Sequence, residues 1–211
     1  MTNDKSGTFS VYQRDEQPFG KTWEEWTTKW WIWFLSISKK MNPAVNESGE
    51  KAIIGETDPN VWFLAATTGG TVERCVKLPP GISLLFPVIN ATTSYSEEPR
   101  LKNDYELTLY VKSHIDDILI KEASIDGLDI AISENHRVQS SPFEFSYPEE
   151  LPKDNIYFAY GGNTRGAGDG YWIFLKPLSE GEHYIRTFGS CMSGRVQIGV
   201  RWRIIVEPSK S

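Results

Sequence analysis

The sequence predicts a mainly β protein, a β-sandwich or jelly-roll-like fold, with a tryptophan-rich helix near the N-terminus and one further helix. Three observations lead there. Many short strand-type segments are separated by turn residues at close spacing. Val196, Ile198, Val200, Trp202, Ile204 and Val206 alternate in the period of a half-buried strand. Near the N-terminus one segment instead carries its apolar residues at helical spacing.

The chain has 211 residues, 39% of them hydrophobic, which is enough for one core without a disulfide or metal to staple it. We read residues 1–19 as a polar N-terminal extension, frayed or extended, and residues 20–208 as a single domain without internal repeats. In Thr22-Trp23-Glu24-Glu25, Thr22 and Glu25 form a capping box, each side chain meeting a free backbone N–H. Trp23, Trp26, Trp30 and Trp33 then follow one helical face, and Asn42-Pro43 stops the helix. Such a stripe is either a core face against a sheet or an aromatic platform for carbohydrate or a partner. Trp31 stands off the stripe and is the tryptophan expected to make a second contact.

Residues 43–60 read as loop and 61–67 as a strand. Gly69-Gly70 turns the chain into an alternating strand over 71–78. Residues 82–89 are apolar on both faces and read as a central strand, in which Pro87 requires a bulge or a sheet edge. Leu107, Val111, His114 and Ile118 suit a helix over 101–118. Asp126-Gly127 links two strands as a hairpin. Residues 133–155 read as irregular and 156–160 as a short strand. Residues 161–170 are half glycine and read as a mobile loop. Strands follow over 171–175 and 183–188, then a loop over 189–194 before the last strand.

Lys plus Arg number 22 against 28 Asp plus Glu, a net charge of −6, and neither half of the chain is basic. That balance argues against nucleic acid, which is held largely by cations on phosphates. Arg195, Arg201 and Arg203 form a local anion patch or a solvated strand face. The apolar run at 30–35 is too short to span a bilayer. The polar start reads as cytoplasmic, with a secreted mature form as the alternative. Cys75 and Cys191 are reduced thiols or one long-range disulfide. No metal motif is present, so no cofactor is expected. The sequons at Asn46 and Asn90 match by chance frequency.

Several segments together resemble a known group. They are Gly20-Lys21-Thr22-Trp23-Glu24-Glu25-Trp26, Val61-Trp62-Phe63-Leu64-Ala65-Ala66-Thr67, Leu84-Leu85-Phe86-Pro87-Val88-Ile89-Asn90, and Leu178-Ser179-Glu180-Gly181-Glu182-His183-Tyr184-Ile185. In this order they resemble a family of uncharacterised bacterial and archaeal β-sandwich proteins with a Trp-rich N-terminal helix. The resemblance spans residues 20–206 and transfers no activity. Members often carry a cysteine in the loop after the helix, positioned to pair with Cys75, and residues 46–54 here hold none.

Candidate chemistry is sparse. Asp116-Asp117 and Glu149-Glu150 are adjacent carboxylates, which need not converge on one bond. Asp58 sits in a turn without an EF-hand pattern around it. His183 is a candidate base with Asp169, Glu182, Ser190 or Cys191 as companions. Asn163, Arg165 and Asp169 give the glycine-rich segment polar reach, and with Trp31 they are the expected ligand-binding residues. The function expected is therefore non-catalytic binding or a structural role, with carbohydrate the leading ligand class and a small molecule or protein also open. The alternative is a hydrolase or lyase using acidic residues and His183 near 161–170.

Overall fold

The computed structural model describes residues 9–45, 49–55, 58–149, 152–191 and 194–209. Thr57, Glu150 and the Asn46 sequon lie outside the described residues. Helix α1 (Trp23–Leu35) starts as the sequence predicts. Thr22 Oγ1 accepts from the Glu25 amide at 3.2 Å, and Glu25 Oε2 accepts from the Thr22 amide at 2.7 Å. Two of the free N–H groups of the first turn are thereby satisfied.

The strands, in chain order, are β1 (Val61–Phe63), β2 (Gly70–Leu78), β3 (Ser83–Ser94), β4 (Ile120–Ile125), β5 (Leu128–Ile130), β6 (Phe143–Tyr147), β7 (Gly162–Leu175), β8 (Gly181–Cys191) and β9 (Val196–Val206). They form a four-stranded sheet, β1-β3-β7-β6, and a five-stranded sheet, β2-β9-β8-β4-β5. The β1–β3 and β2–β9 pairs are parallel and the rest antiparallel. Between the sheets lies one core, in which Leu84, Phe86, Ile173 and Leu175 meet Ile125, Ile185, Val200, Trp202 and Ile204. The other face of the four-stranded sheet is covered by α1. There Trp26, Trp30 and Trp31 pack with Phe63, Leu85, Phe145, Trp172 and Phe174. Helix α2 (Asp104–Asp116) sets Leu107 and Val111 on Ala167 of β7. The result is a sandwich-like β fold with a tryptophan-rich helix laid on one sheet, as the sequence indicates.

The indoles also tie down the loops around them. Trp23 donates to the carbonyl of Gln13, Trp26 to Pro18, Trp30 to Leu64, Trp33 to Ile54 and Trp62 to Ala52, at 2.8–3.1 Å. A buried indole needs such an acceptor. Arg74, 3% exposed, does the same with its guanidinium. It donates to the carbonyls of Ala44, Ala65 and Ala66, and burial lowers its pKa to about 10. Within the N-terminal extension, Val11 bridges Leu175 and the Tyr12 amide donates to the Phe174 carbonyl, so this part runs along the end of β7.

Several sequence expectations are corrected. Residues 161–170 are not a loop, because residues 162–175 form the long strand β7. Gly166, Gly168 and Gly170 recur with period two, so all three lie on one face of β7, and Gly168 meets α1. A Cβ on Gly168 would lie 2.2 Å from Trp31 Nε1, and one on Gly166 would lie 2.7 Å from the Thr93 carbonyl. The glycines are there for close approach, not for mobility. Residues 156–160 form no strand; they begin in a turn and contain Phe158 at φ 57°. The stretch expected to be irregular contains β6. The first strand ends at Phe63, and β8 continues to Cys191. At Pro87 the register shifts between Pro87 and Ile89. Since β1 pairs with residues 83–85, the rest of β3 has no strand partner on that side among the described residues.

Candidate functional site

The four expected ligand-binding residues do not form one site. Trp31 is 2% exposed, its indole lying over Gly168 and edge-on to Trp172 at 5.9 Å. Helical geometry puts residues 27, 30, 31 and 34 on one face, so the buried stripe is rotated from the predicted one and leaves Trp33 half-buried. Asn163, Arg165 and Asp169 lie on the opposite face of β7. Arg165 makes a two-pronged contact with Asp104 in the first turn of α2, at 3.0 and 2.8 Å. Asp169 is fully buried and holds Arg137 at 3.1 and 2.7 Å, and Arg137 also reaches Asp116 in the last turn of α2 at 2.8 Å. These pairs fasten both ends of α2 to β7. Burial pushes the Asp169 carboxyl above its ordinary pKa against the pull of Arg137. Asn163 and Arg165, with Glu144, line an open polar hollow of about 550 Å³.

His183 meets none of its expected companions. Its Nδ1 lies 2.7 Å from Asp126 Oδ2, and its Nε2 lies 3.3 Å from Ser179 Oγ and 2.9 Å from the Ser179 carbonyl. Asp126 sits at φ 50° in the Asp-Gly link and accepts the Tyr184 amide at 2.7 Å through its other oxygen. The order Ser179–His183–Asp126 has the outline of a nucleophile–base–orienter set. However, Nε2 faces the backbone carbonyl more closely than the hydroxyl. The arrangement pins the β7–β8 connection onto the β4–β5 hairpin. The missed partner was adjacent in space through the hairpin, and only the hairpin signal at Asp126-Gly127 could have pointed to it.

Both cysteines are free thiols, and burial raises the Cys191 pKa, the reverse of an activated thiol. Among the described residues no group of three His, Cys, Asp or Glu could hold a metal ion. No described helix is long and apolar enough to cross a membrane.

The richest surface is the outer face of the five-stranded sheet. In register across it, Glu73 stands opposite Arg201, Arg201 opposite Arg186, and Arg186 opposite Ser124. The next row brings together Cys75, Arg203 and Tyr184. Between these rows lies a hollow of about 420 Å³. Arg201 pairs with Glu73 at 3.0 Å, Arg186 with Glu122 at 3.3 Å and Arg203 with Glu182 at 2.6 Å. The Tyr184 hydroxyl donates to Glu182, and its ring is 55% exposed. Two arginines directly opposite each other repel. Of the arginines singled out in the sequence, Arg201 and Arg203 line this hollow and Arg195 does not, while Arg186 and Tyr184 join it. Neither Ser179 nor His183 lines this hollow or the one at Arg165.

No family model matches the chain, and no curated protein matches it. This accords with the resemblance to a family without an established activity. A solved structure described as "Structure of PbICP-C in complex with falcipain-2" is similar at 10% identity and a TM-score of 0.27. That similarity covers 70% of this chain and 99% of the other, and at that score it carries no argument about this protein.

Proposed function

We propose that the protein is a non-catalytic binding protein that takes a short acidic saccharide on the arginine face of the five-stranded sheet. The observation that supports it is the convergence of Arg186, Arg201, Arg203 and the exposed ring of Tyr184 on one hollow of about 420 Å³. Guanidiniums match carboxylates in a planar, two-pronged geometry, and a phenol ring gives a sugar an apolar face with a polar edge. The carboxylates now paired to the arginines are replaceable. Glu73 and Glu122 are 74% and 54% exposed, and such surface pairs contribute about 0–1 kcal/mol each. A ligand carboxylate shared by Arg186 and Arg201 would relieve their mutual repulsion, which neither glutamate does alone. The net charge of −6 disfavours long polyanions and so favours a ligand with one or two acidic groups.

The test is calorimetric titration with glucuronate- and galacturonate-ended disaccharides against their neutral glucose and galactose counterparts. The acidic sugars should bind and the neutral ones bind at least tenfold more weakly. Arg201→Ala and Arg186→Ala should each lower affinity tenfold or more, while Asn163→Ala and Arg165→Ala, at the other hollow, leave it unchanged. Equal binding of acidic and neutral sugars, or indifference to both arginine variants, rejects the proposal.

A further inference from the structure

His183 is a buried residue of β8, and its register partner on β9 is the buried Ile204. Successive residues of a strand point to opposite faces, so His183 lies on the inner face and Tyr184 on the outer one, at the arginine hollow. Both ring nitrogens of His183 meet acceptors. Nδ1 is 2.7 Å from a carboxylate oxygen of Asp126, and Nε2 is 2.9 Å from the Ser179 carbonyl. A neutral imidazole has one N–H and satisfies one of the two, whereas the imidazolium has two and satisfies both. In the neutral ring the proton belongs on Nδ1, since a lone pair there would face the carboxylate. Nε2 then has only the Ser179 hydroxyl, at 3.3 Å, to accept from.

Asp126 connects this ring to the hollow. Its second oxygen accepts the Tyr184 amide at 2.7 Å, and its own amide donates to the Tyr184 carbonyl at 2.8 Å. Tyr184 and Gly127, the next residue of the turn, both line the hollow. Among the described residues, Asp126 is the one titratable group hydrogen-bonded to His183. Ser179 and Ile204 carry no charge. Glu180 bonds to Ser209, and Glu182 is turned to Arg203 and Tyr184 on the outer face.

We propose that His183 is a positioning residue for the arginine face, setting the charge beside the bound saccharide through Asp126 and so coupling binding to pH. The inference rests on the acidic-saccharide reading of that face. With His183 protonated, the His183–Asp126 pair adds no net charge beside the ligand. Once the ring gives up its Nε2 proton, Asp126 is left with an uncompensated negative charge next to an anionic ligand. Affinity therefore falls as pH rises, in the range where histidine ordinarily changes charge. By linkage, a bound saccharide makes His183 hold its proton to higher pH.

The test is calorimetric titration with a glucuronate-ended disaccharide at about pH 5.5 and about pH 7.5, between which the uronate stays ionised. Wild-type affinity should be roughly fivefold weaker at the higher pH. His183→Gln, which cannot carry the charge, should bind at the weaker level at both. Asp126→Asn removes the carboxylate and suits the left-handed φ of 50°, and should bind at the tighter level at both. A purely structural role for the pair predicts weaker binding in both variants. In 15N-labelled protein the neutral ring should keep its proton on Nδ1, and the titration of Nε2 should move to higher pH when the disaccharide is added. Where His183→Gln does not fold, Asp126→Asn and the ring titration carry the test. The coupling is overturned if the disaccharide binds equally at both pH values, if Asp126→Asn binds more weakly than wild type at the higher pH, or if the disaccharide leaves the His183 titration unmoved. Absence of binding at either pH rejects the saccharide reading, and this inference with it.

Discussion

The outer faces of the two sheets have been treated in opposite ways. On the four-stranded sheet, α1 buries Trp23, Trp26, Trp30 and Trp31 against a strand stripped to glycine at every second position. On the five-stranded sheet, the corresponding face keeps Glu73, Arg201, Arg186 and Tyr184 in contact with water. One face contributes stability and has no freedom to change. The other contributes little to stability and is therefore free to recognise something. The sequence allows the tryptophans to be a core face or a platform, and the arginines to be an anion patch or a solvated strand face, and only the packing separates the two.

The contrast can be broken most forcefully at Trp31. Trp31→Ala should lower unfolding free energy by about 3–5 kcal/mol in urea titrations, whereas an exposed platform residue would cost almost nothing. A second test concerns pH. Glu97, in the turn after β3, accepts from Tyr147 at 2.8 Å and Ser94 at 2.9 Å, and burial raises its pKa from 4.5 to about 7. A raised carboxyl pKa means that the folded state holds the proton more tightly. The stability Glu97 provides is therefore full below pH 4.5 and declines as pH rises towards 7, by up to about 3 kcal/mol. Glu97→Gln should flatten that decline when unfolding is followed in urea across this pH range. Third, Gly168→Ala should cost about 1–3 kcal/mol through its clash with the Trp31 indole. In the Trp31→Ala background the same change should cost less, because the clashing partner is gone. The smallest effect is expected at Arg201→Ala, within about 0.5 kcal/mol of the parent in stability; a loss of several kcal/mol there would make the arginine face structural.

The capping box at Thr22, the hairpin at Asp126-Gly127, the irregularity at Pro87 and the alternation of the last strand were all legible, because each rests on contacts within a few residues. The glycine-rich strand was not. Gly166, Gly168 and Gly170 carry a period of two, which was available as a signal, but Gly168 makes room for a helix more than a hundred residues earlier in the chain, and Gly166 and Gly170 make room for the neighbouring strand β3. The same limit applied to the site. Arg201 and Arg203 sit on one strand and could be noticed together, whereas Arg186 and Tyr184 reach them only through the register of β8 against β9. His183 and Asp126 likewise meet across two strands.

The parallel pairing of β2 with β9 also governs how this protein is born. Gly70 and Ile198 are register partners, so β2 leaves the ribosome long before its neighbour exists. Until the chain is made through β9, β2 has an unsatisfied edge, and closing so long a loop is slow compared with forming the neighbouring hairpins. The helix side can assemble once β7 is made, whereas the arginine face comes into being only with the final strand. Nascent chains halted before Val196 should therefore show a protected tryptophan helix but an open, protease-sensitive β2.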